Sequence, residues 1–280
     1  MTSLTDQPTS QPDLQAYLDK IGYKGPHTPT LDTLDQIQYL HATTIPFENL
    51  NPLLDIPVKL DITSLHEKMV QHRRGGYCYE HNLLFVKALE QIGFPVVRLA
   101  ARVVWNQPPG AITWRTHMAV LVTINGQRYL ADTGFGGMTL TKSLLLQPDL
   151  HQQTPHEAFR LRLDGNVYTQ EVNIKNEWKP VYHFTLEPQE LVDYELYSWF
   201  LCHHPNSHFI RDLFIAKPFK EGRYGLRNNE LSIHRKEGAT EKHTIRSANE
   251  LRTILTDTFQ IDLPDHPRLE ELLQRIANKA

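Results

Sequence analysis

Two cysteines in 280 residues, Cys78 and Cys202, close at most one bridge, and a cytosolic chain of this size keeps them as free thiols. Long apolar runs are missing as well. None approaches the roughly 20 residues that cross a bilayer. The opening "MTSLTDQPTSQPDLQ" has neither the basic nor the apolar region of a secretory leader, so a cytoplasmic location and no membrane partner are expected. Charge of one sign is scarce. A formal net charge of −3, with both signs mixed along the chain, lacks the extended basic field of a nucleic-acid binder; no such partner is expected, and any phosphate must be held locally. There is no Walker A pattern and no strand-flanked dinucleotide fingerprint, and "GFGG" at 134–137 is too short for either. Repeats and low-complexity tracts are absent too. Cys78 with His81, and Cys202 with His203 and His204, each resemble half of a zinc site, but a second convergent pair is lacking and no metal is expected.

What is present is a chain 40% hydrophobic and 22% charged, long enough for two or three compact units. Residues 1–10 are polar and expected to be disordered. After Pro12, Leu14, Tyr17, Leu18 and Ile21 recur at helical spacing, as do Leu31, Leu34, Ile37 and Leu40. Ile62, Leu65 and Met69 follow Asp61 as an N-cap, and Leu84, Phe85, Ala88, Leu89 and Ile92 form an apolar stripe that Gly93 and Pro95 end. Residues 1–93 therefore read as a helical bundle. From Val96 the period changes: "VVRLAARVVW" and "HMAVLVTI" are rich in β-branched residues, Asn125-Gly126 marks a two-residue hairpin, and "FRLRL", "VYTQEV" and "VYHFTL" follow with a turn at Asp164-Gly165-Asn166. Residues 94–200 read as a β domain. In residues 201–280, "HFIRDLFIA" and "ELSIHR" read as strands, Ser247 and Glu250 as a capping box, and Pro267 as the start of a last helix.

The hairpin has a chemical consequence. With Asn125 and Gly126 at its tip, cross-strand partners have numbers summing to 251, so His117 faces Gly134 and Asp132 faces Ala119. His117 and Asp132 are then diagonal neighbours on one face, about 7 Å apart at Cβ, within reach of an imidazole and a carboxylate. One ring nitrogen can donate to the carboxylate and leave the other as a base. Cys78, at a glycine-preceded helix start where the dipole favours a thiolate, supplies a nucleophile. Each residue also has a plain structural reading: a free Cys is often simply buried, and His117 and Asp132 sit where strand ends are capped. Arg73 and Arg74 can hold an anion or pair with a structural carboxylate. Composition and spacing leave these alternatives open.

"RRGGYCYEHN", with "IPFENL" at 45–50, "THMAVLV" at 116–122 and "YLADTGFGG" at 129–137, resembles the arylamine N-acetyltransferases. The resemblance is ordered along the chain and implies an α+β multidomain fold: a helical bundle, a β-barrel domain and an α/β lid, with a cysteine-protease-like Cys-His-Asp core. It implies Cys78 as the acetylated nucleophile, His117 as its base and Asp132 as the orienter. Acetyl-CoA would be a co-substrate in a ping-pong cycle, with no tightly bound cofactor, and an aromatic amine, hydrazine or hydroxylamine the acceptor. Thr116, Gly134, Phe135 and Gly136 would line the thiol end of CoA; Tyr79, Val103, Trp105, Phe135 and Phe209 would line the acceptor pocket. Glu48 and Arg74 would brace the catalytic helix, and backbone N–H groups at Cys78 or near Gly134 would receive an oxyanion. Thr133 stands where similar proteins often have an aliphatic residue, a change expected to touch the chemistry little. The implied setting is xenobiotic metabolism by a monomer or homodimer. Rival readings are an amide synthase of macrolactam biosynthesis on the same fold, or a papain- or transglutaminase-like acyl transferase.

Overall fold

The computed structural model describes residues 13–279, so the polar tail at 1–10 and Pro12 lie outside the described residues. Helices form where an apolar stripe meets a capping side chain. Helix α1 (Leu14–Ile21) starts at Asp13, whose Oδ1 accepts from the N–H groups of Gln15 and Ala16, and stops at a left-handed Gly22. Thr30 caps α2 (Leu31–Thr44). A single turn, α3 (Leu50–Leu53), precedes α4 (Ile62–His66), which Asp61 caps as expected and which runs on into a π-helical turn at Glu67–Gln71. Helix α5 (Cys78–Ile92) begins at Cys78 itself, where Tyr77 N donates to Glu80 Oε2 at 3.0 Å, and ends at left-handed Gly93.

The first strand, β1 (Phe47–Glu48), lies inside this helical stretch. The β domain contains β2 (Val96–Val103), β3 (His117–Ile124), β4 (Gln127–Ala131), β5 (Leu144–Leu145), β6 (Gln152–Gln153), β7 (Ala158–Asp164), β8 (Val167–Ile174) and β9 (Glu177–Pro188). They form one antiparallel sheet in the order β5-β4-β3-β2-β9-β8-β7-β6, whose two edges approach each other. The Gln152 carboxamide stands in for a strand there: its Oε1 accepts from Leu145 N at 2.7 Å and its Nε2 donates to Leu145 O at 3.0 Å. The sheet is thereby a nearly closed barrel.

Strand β3 explains why "HMAVLVTI" has no polar alternation. Met118, Val120 and Val122 pack into the core shared with Tyr17, Leu34, Phe85 and Leu89, while Ala119 and Leu121 pack into the barrel core with Phe159 and Tyr182. Both faces are buried, so α5 is seated directly on the barrel. Truncating Phe85 to Ala in that seam costs about 3–5 kcal/mol.

Helix α6 (Leu191–His203) crosses the boundary expected at 200, and its Tyr194 and Leu201 pack into the same core as α5. The remaining elements are β10 (Phe214–Phe219), β11 (Gly222–Arg227), β12 (Glu230–Arg235), β13 (Glu241–Thr244), α7 (Ala248–Thr253) and α8 (Leu269–Ala277). "HFIRDLFIA" is not one strand: His208–Ile210 is a 3-10 turn, started by Ser207 accepting from Phe209 N, and the strand begins at Phe214. Ser247 caps α7, but Glu250 reaches back to Arg246 N, not to Ser247 N. The second sheet runs β1-β10-β11-β12-β13, and Leu50, Leu53 and Leu54 share a core with α7 and α8. Residues 47–54 thus join the C-terminal unit in space, although they lie within the first 93 in sequence.

Candidate active site

Hairpin β3–β4 has the expected register: Ile124 pairs with Gln127 and Val120 with Ala131. Its open end points at the start of α5. His117 Nε2 donates to Asp132 Oδ2 at 2.8 Å, and both side chains are buried. The other carboxylate oxygen, Oδ1, accepts from Gly134 N at 2.8 Å and from Asn82 Nδ2 at 3.0 Å. Three donors therefore fix the carboxylate, and the imidazole is left with Nδ1 unoccupied by Asp132.

Asn82 was missed in the sequence. It lies four residues after Cys78 on the same helical face, which is the signal that could have found it. Its Nδ2 also donates to Met118 O at 2.7 Å, and its Oδ1 accepts from Thr133 N at 3.0 Å and Thr133 Oγ1 at 3.2 Å. Thr133 is therefore closer to the chemistry than expected, since its hydroxyl holds the amide that holds Asp132.

Cys78 is 4% exposed, and its Sγ donates to Thr116 O at 3.4 Å. The backbone N–H groups of Met118 and Tyr79 also face the sulfur, so the residues on both sides of His117 bracket it. The helix start is not the only influence on this thiol. Burial, and then the Asp132 charge, push the Cys78 thiol far above its ordinary value, outweighing the backbone donors that pull it down. A helix start helps a thiolate, but removal from water costs more. Gly134 N–H, expected as an oxyanion donor, is taken by Asp132.

A second charged layer braces the helix start. Burial pushes the Glu48 carboxyl up, but Arg74 and then Lys68 pull harder and hold it below the ordinary value. Arg74 Nε and Nη2 donate to Glu48 Oε1 at 3.0 and 2.7 Å, and Nη2 also reaches Asn51 Oδ1 at 2.9 Å. Lys68 Nζ donates to Glu80 Oε1 at 2.7 Å. Arg74 is thus engaged by a structural carboxylate.

The other expected site residues divide into two groups. Thr116, Gly134 and Phe135 lie against Cys78 and His117: Thr116 O accepts from Cys78 Sγ, Phe135 meets the His117 ring edge-on at 5.1 Å, and a Cβ on Gly134 would lie 2.8 Å from Cys78 Cα. Gly136, in the left-handed region at φ 80°, packs on Phe47, whose ring faces Phe209 at 6.0 Å. Phe47 was quoted in the sequence without a role, and its ring places it among these residues. Tyr79 is buried with its hydroxyl donating to Arg115 O at 3.3 Å, Val103 pairs with Tyr182, and Trp105 packs against the barrel core. Tyr182 was also missed; its ring lies 4.9 Å from that of His117. Both cysteines are free, and among the described residues no group of three or more His, Cys, Asp or Glu side chains is placed to hold a metal ion. No described helix is long and apolar enough to cross a membrane.

Comparison with known proteins agrees with this architecture. The N-acetyltransferase family profile matches residues 30–268. An arylamine N-acetyltransferase of Mycolicibacterium smegmatis is 44% identical over 257 residues, covering 90% of this chain and 93% of the relative. The chain belongs to the arylamine N-acetyltransferase family. A Salmonella typhimurium member, an arylamine N-acetyltransferase / N-hydroxyarylamine O-acetyltransferase, is 35% identical over 94% of this chain and 87% of its own. The Mycobacterium marinum member, solved in complex with CoA, superposes with a TM-score of 0.90 at 40% identity, covering 94% of this chain and 99% of that one. The α+β architecture inferred from the motifs is the architecture of this family.

Proposed function

We propose that this enzyme transfers the acetyl group of acetyl-CoA to arylamines, arylhydrazines or arylhydroxylamines through a thioester on Cys78. The observation that carries the reading is the buried His117–Asp132 pair, 2.8 Å apart, held against the backbone that contacts the Cys78 thiol. His117 Nδ1 takes the Sγ proton while Sγ attacks the acetyl carbonyl. Because the proton leaves as sulfur attacks, no lone thiolate is buried, and the oxyanion of the tetrahedral centre develops together with the imidazolium as a neutral couple. The tetrahedral centre collapses with cleavage of the carbonyl–sulfur bond to CoA, whose sulfur receives the proton from His117. The acceptor nitrogen, largely unprotonated at neutral pH, then attacks the acetyl-Cys78 carbonyl; its proton passes by way of His117 to the departing Cys78 sulfur, restoring the thiol. Asp132 accepts from Nε2 throughout and keeps Nδ1 aimed at sulfur.

Thr116, Gly134, Phe135 and Gly136 border the acetyl-donor side in this reading, with Phe47 and Phe209 on the acceptor side. The reading places the enzyme in the cytoplasm, as a monomer or homodimer. Intact-protein mass spectrometry after brief mixing with acetyl-CoA tests it: one acetyl unit should appear on Cys78, spare Cys202 and be discharged by an arylamine. A folded, reduced enzyme whose Cys78 stays unmodified would remove acetyl-CoA as donor.

A further inference from the structure

The loop between β2 and β3 carries two conspicuous apolar side chains, Ile112 at 92% and Trp114 at 54% exposure. The Trp114 segment is nevertheless tied down. The Arg102 guanidinium donates to Thr113 O, Thr116 N donates to Trp114 O at 3.0 Å, and Tyr79 Oη donates to Arg115 O at 3.3 Å. Trp114 therefore sits two residues from the Thr116 carbonyl that contacts Cys78 Sγ. Its ring is fixed laterally as well: the Phe200 ring lies 4.7 Å away and His204 6.2 Å away, and those two stack on each other at 4.4 Å and 20°. Phe200 and Phe209 both pack against the core that contains Cys78. An anchored, half-exposed indole two residues along the chain from the carbonyl that contacts Cys78 Sγ offers an aromatic face at low ordering cost.

We propose that Trp114, held by Phe200 and His204, is a specificity-determining platform on which the acceptor ring stacks before it attacks acetylated Cys78. This rests on the acetyl-transfer reading. Its chemistry is selective for flat, extended rings, since offset stacking grows with shared ring area, and such pairs account for roughly two- to tenfold in binding.

Single-turnover measurements on the full chain separate the two half-reactions for wild type, Trp114→Ala and Trp114→Phe. Acetylation of Cys78 by acetyl-CoA should stay within about twofold in both variants. Discharge of the acetylated enzyme by naphthylamine should need about three- to tenfold more amine in Trp114→Ala, discharge by aniline should change less, and Trp114→Phe should recover most of the loss. Unchanged ranking of the two amines in Trp114→Ala overturns the platform, as does an equal loss in both half-reactions, which marks a structural role. If wild type itself gains no acetyl unit on Cys78, the acetyl-transfer reading falls and takes the platform with it. If wild type is acetylated and discharged normally while the variants behave alike, the platform alone fails.

Discussion

Three buried groups form a hydrogen-bond chain joining α1, α2 and α5, and its chemistry predicts acid sensitivity. Tyr17 Oη lies 2.8 Å from His41 Nδ1, His41 Nε2 lies 2.8 Å from His81 Nδ1, and His81 Nε2 lies 3.2 Å from Pro46 O. A carbonyl only accepts, so His81 Nε2 carries the proton. With both imidazoles neutral, each remaining proton is fixed: His81 Nδ1 accepts from His41 Nε2–H, and His41 Nδ1 accepts from the Tyr17 hydroxyl. Burial lowers the His81 pKa to about 4, and burial followed by the His81 charge holds His41 well below its ordinary value. In the unfolded chain both titrate near 6.5. Below that pH the unfolded chain binds protons that the folded chain refuses, so stability is fully present above about 6.5 and falls as pH drops towards 4. His81 alone contributes about 2–3 kcal/mol between pH 7 and 4.5, and His41 adds in the same direction. That is a visible share of a total stability of about 5–15 kcal/mol. The control is His81→Gln, whose amide can both donate to Pro46 O and accept from His41 yet does not titrate. Urea unfolding followed by fluorescence at pH 7, 6, 5 and 4.5 should give wild type the steeper loss, with the gap between the two proteins changing by about 2–3 kcal/mol over that range. A gap independent of pH would refute the reasoning.

Gly134→Ala should overpack the seam, because its Cβ would meet the Cys78 backbone at 2.8 Å and neither side is a flexible side-chain end; a loss of about 1–3 kcal/mol and slower acetylation of Cys78 are expected from thermal unfolding and rapid-mixing mass spectrometry. Asn82→Ala removes the donor to Asp132 and the acceptor for Thr133 together; unfolding should cost about 1–3 kcal/mol, and Cys78 acetylation should slow at least about tenfold. Arg74→Met leaves Glu48 buried with Lys68 3.9 Å away, so denaturant titration should show about 3–5 kcal/mol lost.

Local chemistry was legible in the sequence wherever the signal was periodic or sterically unique. Asn125-Gly126 fixed the register of β3–β4, and register alone put His117 and Asp132 on one face. Asp61, Ser247 and Gly93 marked helix ends because caps depend on a single side chain or a left-handed residue. Long-range docking was less legible. Nothing local in "IPFENL" says that β1 pairs with β10, some 170 residues away, since Phe47 is partnered with Ala216 by backbone groups every residue has. The segment 191–201 continued the β domain in sequence because its apolar residues are spread around α6 and so lack the one-sided stripe that announces a helix. Asn82 was obscured for a related reason: its partners Met118, Asp132 and Thr133 come from a hairpin that periodicity placed, but whose docking on α5 it did not.

That docking also sets the environment of the Cys78 thiol. A helix N-terminus on an exposed surface could lower a cysteine's pKa by its dipole alone, but here β3 and the Gly134 turn seal Cys78 from water, and the unpaired thiolate becomes the disfavoured species. In the proposed reaction, proton transfer to His117 lets charge develop at this sulfur as part of a neutral couple. Dryness would then serve the proposed reaction, shielding an acetyl-Cys78 thioester from hydrolysis until an acceptor nitrogen arrives. The barrel and the bundle act together here: the barrel orients His117 through Asp132, the bundle fixes Asp132 through Asn82, and neither unit alone contains Cys78 together with the His117–Asp132 pair.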